Sequence, residues 1–169
     1  MTDENDSVAE PDARLVATAY HEAGHAVMAV LMGRLVHKVT IEPGKSPFGE
    51  ARLGQCEMGK GRSKSSKDPL EEEALILYAG MVAEAHFTDE YCEQGAKQDL
   101  GYIASLLETR VETQKQFEKL QRRLLDKTDY LLAEESNARA VELVAKELLE
   151  KTTISGRAVK HFVRQSTGS

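Results

Sequence analysis

Residues 13–33 read ARLVATAYHEAGHAVMAVLMG, and inside them His21-Glu22-Ala23-Gly24-His25 is H-E-x-x-H. Besides these three polar residues, only Arg14 in the stretch is charged, and the rest is Ala, Val, Leu, Met and Gly with Thr18 and Tyr20. Val16, Val27, Val30 and Leu31 form one apolar side, and Ala17, Met28, Ala29 and Met32 carry the apolar surface round to the histidines. A helix apolar on all sides is a buried helix. Burying two imidazoles and a carboxylate unpaired costs roughly 2–7 kcal/mol each. One cation satisfies all three together. The alternative is two core histidines bonded to carbonyls and a Glu paired with an Arg.

The spacing suits a metal. Residues four apart share a helix face, so both imidazoles reach one ion. Glu22 is rotated about 100° from His21, close enough to reach water at the ion but poorly placed as a ligand. A protein-bound Zn2+ lowers the pKa of its water to about 7, and Glu22 is placed to take that proton and pass it to a leaving amine. Two imidazoles plus a carboxylate suit Zn2+. A metzincin would need Gly at position 28 and His at 31, where this chain has Met28 and Leu31. The third ligand is open on spacing alone. Glu84, Asp99 and His86 are candidates, and Asp99 by itself is equally a first-turn acid favoured by the helix dipole.

Outward from this helix, Val36–Glu42 alternates and is rich in β-branched residues, which predicts a strand. Pro43–Pro47 is a turn, and Phe48–Glu57 is the expected return strand of a hairpin. Gly59–Lys67 carries four basic residues and no acid, so it is expected to be a solvated loop. Asp68-Pro69-Leu70-Glu71 is a helix start, with Asp68 as N-cap and Pro69 at N1. That helix should run to about Phe87. A long amphipathic helix follows Gly95, with Leu100, Ile103, Leu107, Val111, Phe117 and Leu124 near one face. A break is expected near Asp126–Asp129, then a helix to about Lys151 and a short one after Ser155. The fold class is therefore mainly α, with a small β-hairpin or sheet next to the H-E-x-x-H helix.

The 169 residues suffice for one domain, expected over 13–165, between an acidic disordered tail at 1–12 and a flexible end at 166–169. The net charge is −6, of which the tail carries −5, so no nucleic-acid surface is predicted. Aromatic residues are 5% of the chain, too few for a base-stacking platform. The longest stretch free of Asp, Glu, Lys and Arg in the apolar regions is Ala23–Gly33, 11 residues, against roughly 20 needed to span a bilayer. No signal segment opens the chain, so it is expected to be cytoplasmic, without membrane insertion. Cys56 and Cys92 are too few for a disulfide framework. Cys92 with His86 makes an unconvincing thiol–imidazole pair. His37 and His161 read as surface or satisfied residues. Gly54–Lys60 nearly matches G-x-x-x-x-G-K, but Gly61 stands where a magnesium-binding hydroxyl is needed and no helix follows.

Five segments taken in order, YHEAGHAV (Tyr20–Val27), HKVTIEP (His37–Pro43), LYAGMVAE (Leu77–Glu84), GAKQDL (Gly95–Leu100) and LLEKTTISG (Leu148–Gly156), resemble the peptidase domain of the FtsH-type zinc metalloproteases. The resemblance spans roughly Arg14 to Val163. It implies a zinc-dependent metalloendopeptidase acting on unfolded or extended polypeptides, with Asp99 as third ligand beside His21 and His25. Glu84 matches a family carboxylate expected to orient a ligand, and the Phe48–Glu57 strand is a candidate edge for an extended substrate. That family also carries membrane helices and an ATPase module, neither of which is read in this sequence. Any ATP-driven unfolding is thus expected from a separate ATPase. Met81 replaces the family's usual Arg, and a Met- and Gly-containing loop after the Asp-bearing helix is not seen. The apolar stripes of Leu100–Leu125 and Leu131–Leu149 leave homo-oligomers open. The alternative function is a non-proteolytic, zinc-stabilised binding or regulatory module.

Overall fold

The computed structural model describes residues 12–45, 49, 51–89 and 93–168, with residues 93–95 described for their backbone alone. The tail before Asp12, the turn residues 46–48 and Cys92 lie outside it. Six helices and a small antiparallel sheet form the described chain. They are α1 (Ala13–Leu31), β1 (Arg34–Thr40), β2 (Gly44–Lys45), β3 (Ala51–Arg52), β4 (Gln55–Arg62), α2 (Pro69–Thr88), α3 (Glu93–Glu108), α4 (Gln114–Ala133), α5 (Glu135–Lys151), β5 (Thr153–Ser155) and α6 (Gly156–Thr167).

The H-E-x-x-H helix is the centre of the molecule. Asp12 caps α1 by accepting from the Arg14 N–H at 3.0 Å, and Gly33 ends it in the left-handed region at φ +79°. Ala19, Ala23, Ala26, Val27, Met28 and Ala29 are fully buried, with α2, α5, α6 and β1 packed around them. The small residues set how close the helices come. A Cβ on Gly24 would stand 2.3 Å from the Ala79 carbonyl oxygen and 2.6 Å from Ala83 Cβ, so only glycine allows α1 to cross α2 at this depth. That crossing presses the two histidines against α2.

The sheet has the order β4-β1-β5, with both neighbours antiparallel to β1. Val39 pairs with Cys56 on one side and Ile154 on the other. The expected hairpin is therefore present but one strand short, because the three residues of β5 are too few to carry a legible alternation. The return strand is also displaced. It runs Gln55–Arg62, so half of the expected basic loop is strand. Arg62 explains this: it pairs with Glu72 of α2 and donates to the Met32 carbonyl at 3.1 Å. The neighbouring Arg34–Glu73 pair is 2.6 Å long. These contacts tie the end of β4 to two helices, an outcome that charge composition cannot foretell. Within this sheet β4 is an edge strand. A separate ribbon pairs β2 with β3, Gly44 opposite Arg52.

The long helix expected after Gly95 is two helices. Its break falls at 109–113, and Asp126–Asp129 lies within α4. Thr113 accepts from the Gln116 N–H at 3.2 Å, while the Gln116 side chain accepts from the Thr113 N–H at 3.2 Å. This reciprocal capping box restarts the chain in a new direction although the apolar stripe continues across it. Ile103 and Leu107 are buried, whereas Leu100 is exposed. Thr113→Ala is expected to destabilise the protein by about 1 kcal/mol, read as a lowered denaturant midpoint with an unchanged slope. The next break comes at Glu134, and α6 follows Ser155 as expected, with the Ser155 side chain capping it by accepting from Ala158 N–H at 3.1 Å. That helix runs on to Thr167, past the expected boundary at 165. No helix among the described residues is long and apolar enough to cross a membrane.

Candidate metal centre

His21 and His25 project from α1 toward α3, where Asp99 meets both. Their Nε2 atoms lie 2.9 and 3.1 Å from the same Asp99 oxygen, Oδ2. One ligand-type atom from each of the three residues falls within 4.8 Å of the others. Glu22, also on α1, is 7% exposed, close to His21 at 7% and His25 at 8%. Glu84, on α2 and 2% exposed, takes up the far side of His21, its Oε2 3.0 Å from Nδ1. His86, another candidate ligand, pairs instead with Asp129 of α4 at 2.5 Å.

The hydrogen bonds decide whether this group suits a cation. His25 Nδ1 is 2.7 Å from the Ile76 carbonyl oxygen. A carbonyl only accepts, so Nδ1 carries the proton. In a neutral ring Nε2 is then a lone pair aimed at a carboxylate oxygen, which is repulsive. His21 is arranged alike, with Glu84 at Nδ1 and Asp99 at Nε2. Something positive must stand at both Nε2 atoms, either a proton or a metal ion. Two imidazole nitrogens with their outer N–H groups fixed by a carbonyl and a carboxylate, plus one carboxylate oxygen, form a donor set that fits a divalent ion such as zinc.

The electrostatics agree. Burial opposes charge on His21, yet the hydrogen bonds to Asp99 and Glu84 and the charge of Glu22 carry its pKa up to about 10. His25 is raised too: burial opposes charging, and the charge and hydrogen bond of Asp99 prevail. Burial pushes Asp99 up, but His25 and His21 outweigh it and hold the carboxyl well below its ordinary range. Glu22 is raised, first by burial, with the two histidines opposing. A raised carboxyl is suited to exchanging protons near neutral pH. Burial, then the charge of Glu22, pushes the Cys56 thiol up, so this free cysteine is a poor nucleophile.

A cleft of about 300 Å³ opens over these groups. Its wall is built from Arg52, Leu53, Gln55, Cys56 and Met58 of the β3–β4 region, with Gln98 and Tyr102 of α3 opposite. Several of these positions carry no signal in the sequence. Outside that lining, Gly80 of α2 packs on the histidines: a Cβ there would stand 2.5 Å from His25 Cε1 and Nε2 and 2.8 Å from His21 Nε2. Both imidazoles lie across this one glycine. Gly80→Ala is expected to cost roughly 1–3 kcal/mol in overpacking and to weaken metal binding in a competition titration with a chromogenic chelator. Unchanged metal affinity would show that the rings have room to move aside. His37 and His161 are exposed, as expected.

A buried helix bearing H-E-x-x-H, with an aspartate from a later helix closing on both histidines, is the arrangement of a metallopeptidase. Residues 8–129 match the model of Peptidase family M41, and the chain belongs to that family. It is 37% identical over 91 residues to the ATP-dependent zinc metalloprotease FtsH 1 of Rhodopirellula baltica, covering 53% of this chain and 13% of that protein. It is 42% identical over 74 residues to FtsH of Cupriavidus metallidurans, 42% of this chain and 11% of that one. A longer alignment, 25% identical over 190 positions, covers 88% of this chain and 29% of FtsH 3 of Petrotoga mobilis. The chain thus spans less than a third of the length of each of these relatives.

Proposed function

We propose that the protein is a zinc-dependent endopeptidase cleaving unfolded or extended polypeptides. In this reading His21, His25 and Asp99 hold the ion, Glu22 is the general base, and Glu84 orients His21. The observation that carries it is the convergence of both Nε2 atoms on Asp99 Oδ2 beside the buried carboxyl of Glu22. Zinc, when bound, would supply Lewis-acid polarisation of the water and of the peptide carbonyl.

The chain's own groups do the rest. Glu22 takes a proton from the attacking water and delivers it to the amine nitrogen as the peptide bond breaks, so one carboxyl serves as base and then acid. The Ile76 carbonyl and Glu84 hold the imidazoles through their Nδ1–H groups, keeping the Nε2 lone pairs turned inward. Strand β4 supports the preference for extended chains: it is an edge of its sheet, and Gln55, Cys56 and Met58 border the cleft. An extended segment adding to such an edge gains main-chain hydrogen bonds whatever its sequence. An unfolded casein is expected to be cut by the zinc-loaded protein and spared after chelation. Cleavage that persists in chelator would overturn the reading.

A further inference from the structure

Among the described residues lining the cleft, Arg52 is the one Lys or Arg. It lies on β3 opposite Gly44, and its guanidinium crosses that glycine. The Nε, Nη2 and Cζ atoms stand 2.8–3.2 Å from where a Cβ on Gly44 would be. Among the described residues Arg52 Nε is buried with no hydrogen-bond partner. Two residues on, Gly54 packs on the general base: a Cβ there would come within 2.9 Å of Glu22 Cγ and 3.1 Å of Oε1. One wall of the cleft therefore carries a cation two residues from the glycine that packs on the proton-transferring carboxyl.

Arg52 is half-buried, and Ala51, Leu53 and Met58 line the same cleft. A guanidinium partly dehydrated among such groups is costly unless an anion meets it. Its planar set of donors matches a carboxylate, which accepts two parallel N–H bonds. We infer that Arg52 is a specificity-determining residue that receives a carboxylate of the substrate, either an acidic side chain near the scissile bond or the chain-terminal carboxylate. This rests on the peptidase reading above.

The test uses the zinc-loaded protein and labelled peptides of one length: a neutral amidated peptide, the same with Glu for Gln, the same with Lys for Gln, and the neutral peptide with a free C-terminus. Binding is read by fluorescence anisotropy in the Glu22→Gln background, so that no peptide is consumed. One of the two carboxylate peptides is expected to bind about tenfold tighter than the neutral one, equivalent to about 1.4 kcal/mol, and which one identifies the source. Arg52→Gln should abolish that preference, Arg52→Lys should keep part of it, and Arg52→Glu should turn it toward the Lys peptide. Equal affinities for all peptides, or a preference that survives Arg52→Gln, would overturn the inference. Cleavage is then followed with Glu22 restored. A loss in Arg52→Gln that is equal for every peptide would also overturn it, because Arg52 would then act only through Glu22. Intact binding preference with no cleavage of any peptide would instead overturn the peptidase reading and leave the carboxylate site standing.

Discussion

Glu22→Gln is expected to leave the bound metal in place and to slow cleavage of an unfolded substrate by about 10²–10⁴-fold, the usual contribution of a positioned general base. The amide keeps the shape of the carboxyl but cannot take a proton. Glu22 is buried and its pKa is raised, chiefly by burial, so an uncharged isostere should be tolerated by the fold. The loss should fall on kcat with little change in KM, since the wall and edge strand that would bind the peptide are untouched. Metal content and melting temperature measured on the same sample separate chemistry from unfolding. Cleavage within a few fold of the parent would mean that another group moves the proton.

Asp99→Ala acts on the site in a different way. Both Nε2 atoms approach Asp99 Oδ2. Its removal is expected to weaken zinc binding by more than the roughly 10–100-fold typical of losing a group that only orients a ligand, and to abolish cleavage. Zinc at about 100 times its Kd stabilises a protein by about 2.7 kcal/mol, so chelation should lower the melting temperature of the parent and leave that of the variant unmoved. Glu84→Gln supplies the contrast: zinc should still bind, within that 10–100-fold range, because Glu84 meets His21 at its outer nitrogen, Nδ1.

These expectations differ in how far they could be drawn from the sequence. His21, Glu22 and His25 are legible because their chemistry is local: the helix period alone puts two imidazoles on one face. Asp99 is not legible in that way. It lies 78 residues from His21 and 74 from His25, and only the packing of α3 against the site joins them. Its selection over Glu84 and His86 came from the resemblance of the GAKQDL segment. Gly80 is hidden for another reason. A glycine in an apolar helix reads as close helix packing, and nothing local tells that it faces imidazole rings rather than a neighbouring helix. Arg52 sits in a two-residue strand, too short for any periodicity.

The fold shows the same division. Four of the six helices start on a capping side chain, Asp12, Asp68, Thr113 or Ser155, and the start of α2 at Asp68-Pro69 is where the sequence places it. The restart at Thr113 was available in the T-x-x-Q pattern of Thr113–Gln116 but was masked by an apolar stripe that runs through it. Strand β4 lies beyond the expected return strand because the cations of 59–67 resemble a solvated loop until the pairing of Arg62 with Glu72 on α2 is known.

The most direct test of the zinc centre is X-ray absorption at the zinc edge on the purified protein, with metal content measured on the same sample and on Asp99→Ala. About one zinc per chain is expected, ringed by nitrogen and oxygen at about 2.0–2.2 Å with imidazole scattering, and lost in the variant. A sulfur neighbour at about 2.3 Å, or zinc retained in full without Asp99, would contradict a site built from His21, His25 and Asp99.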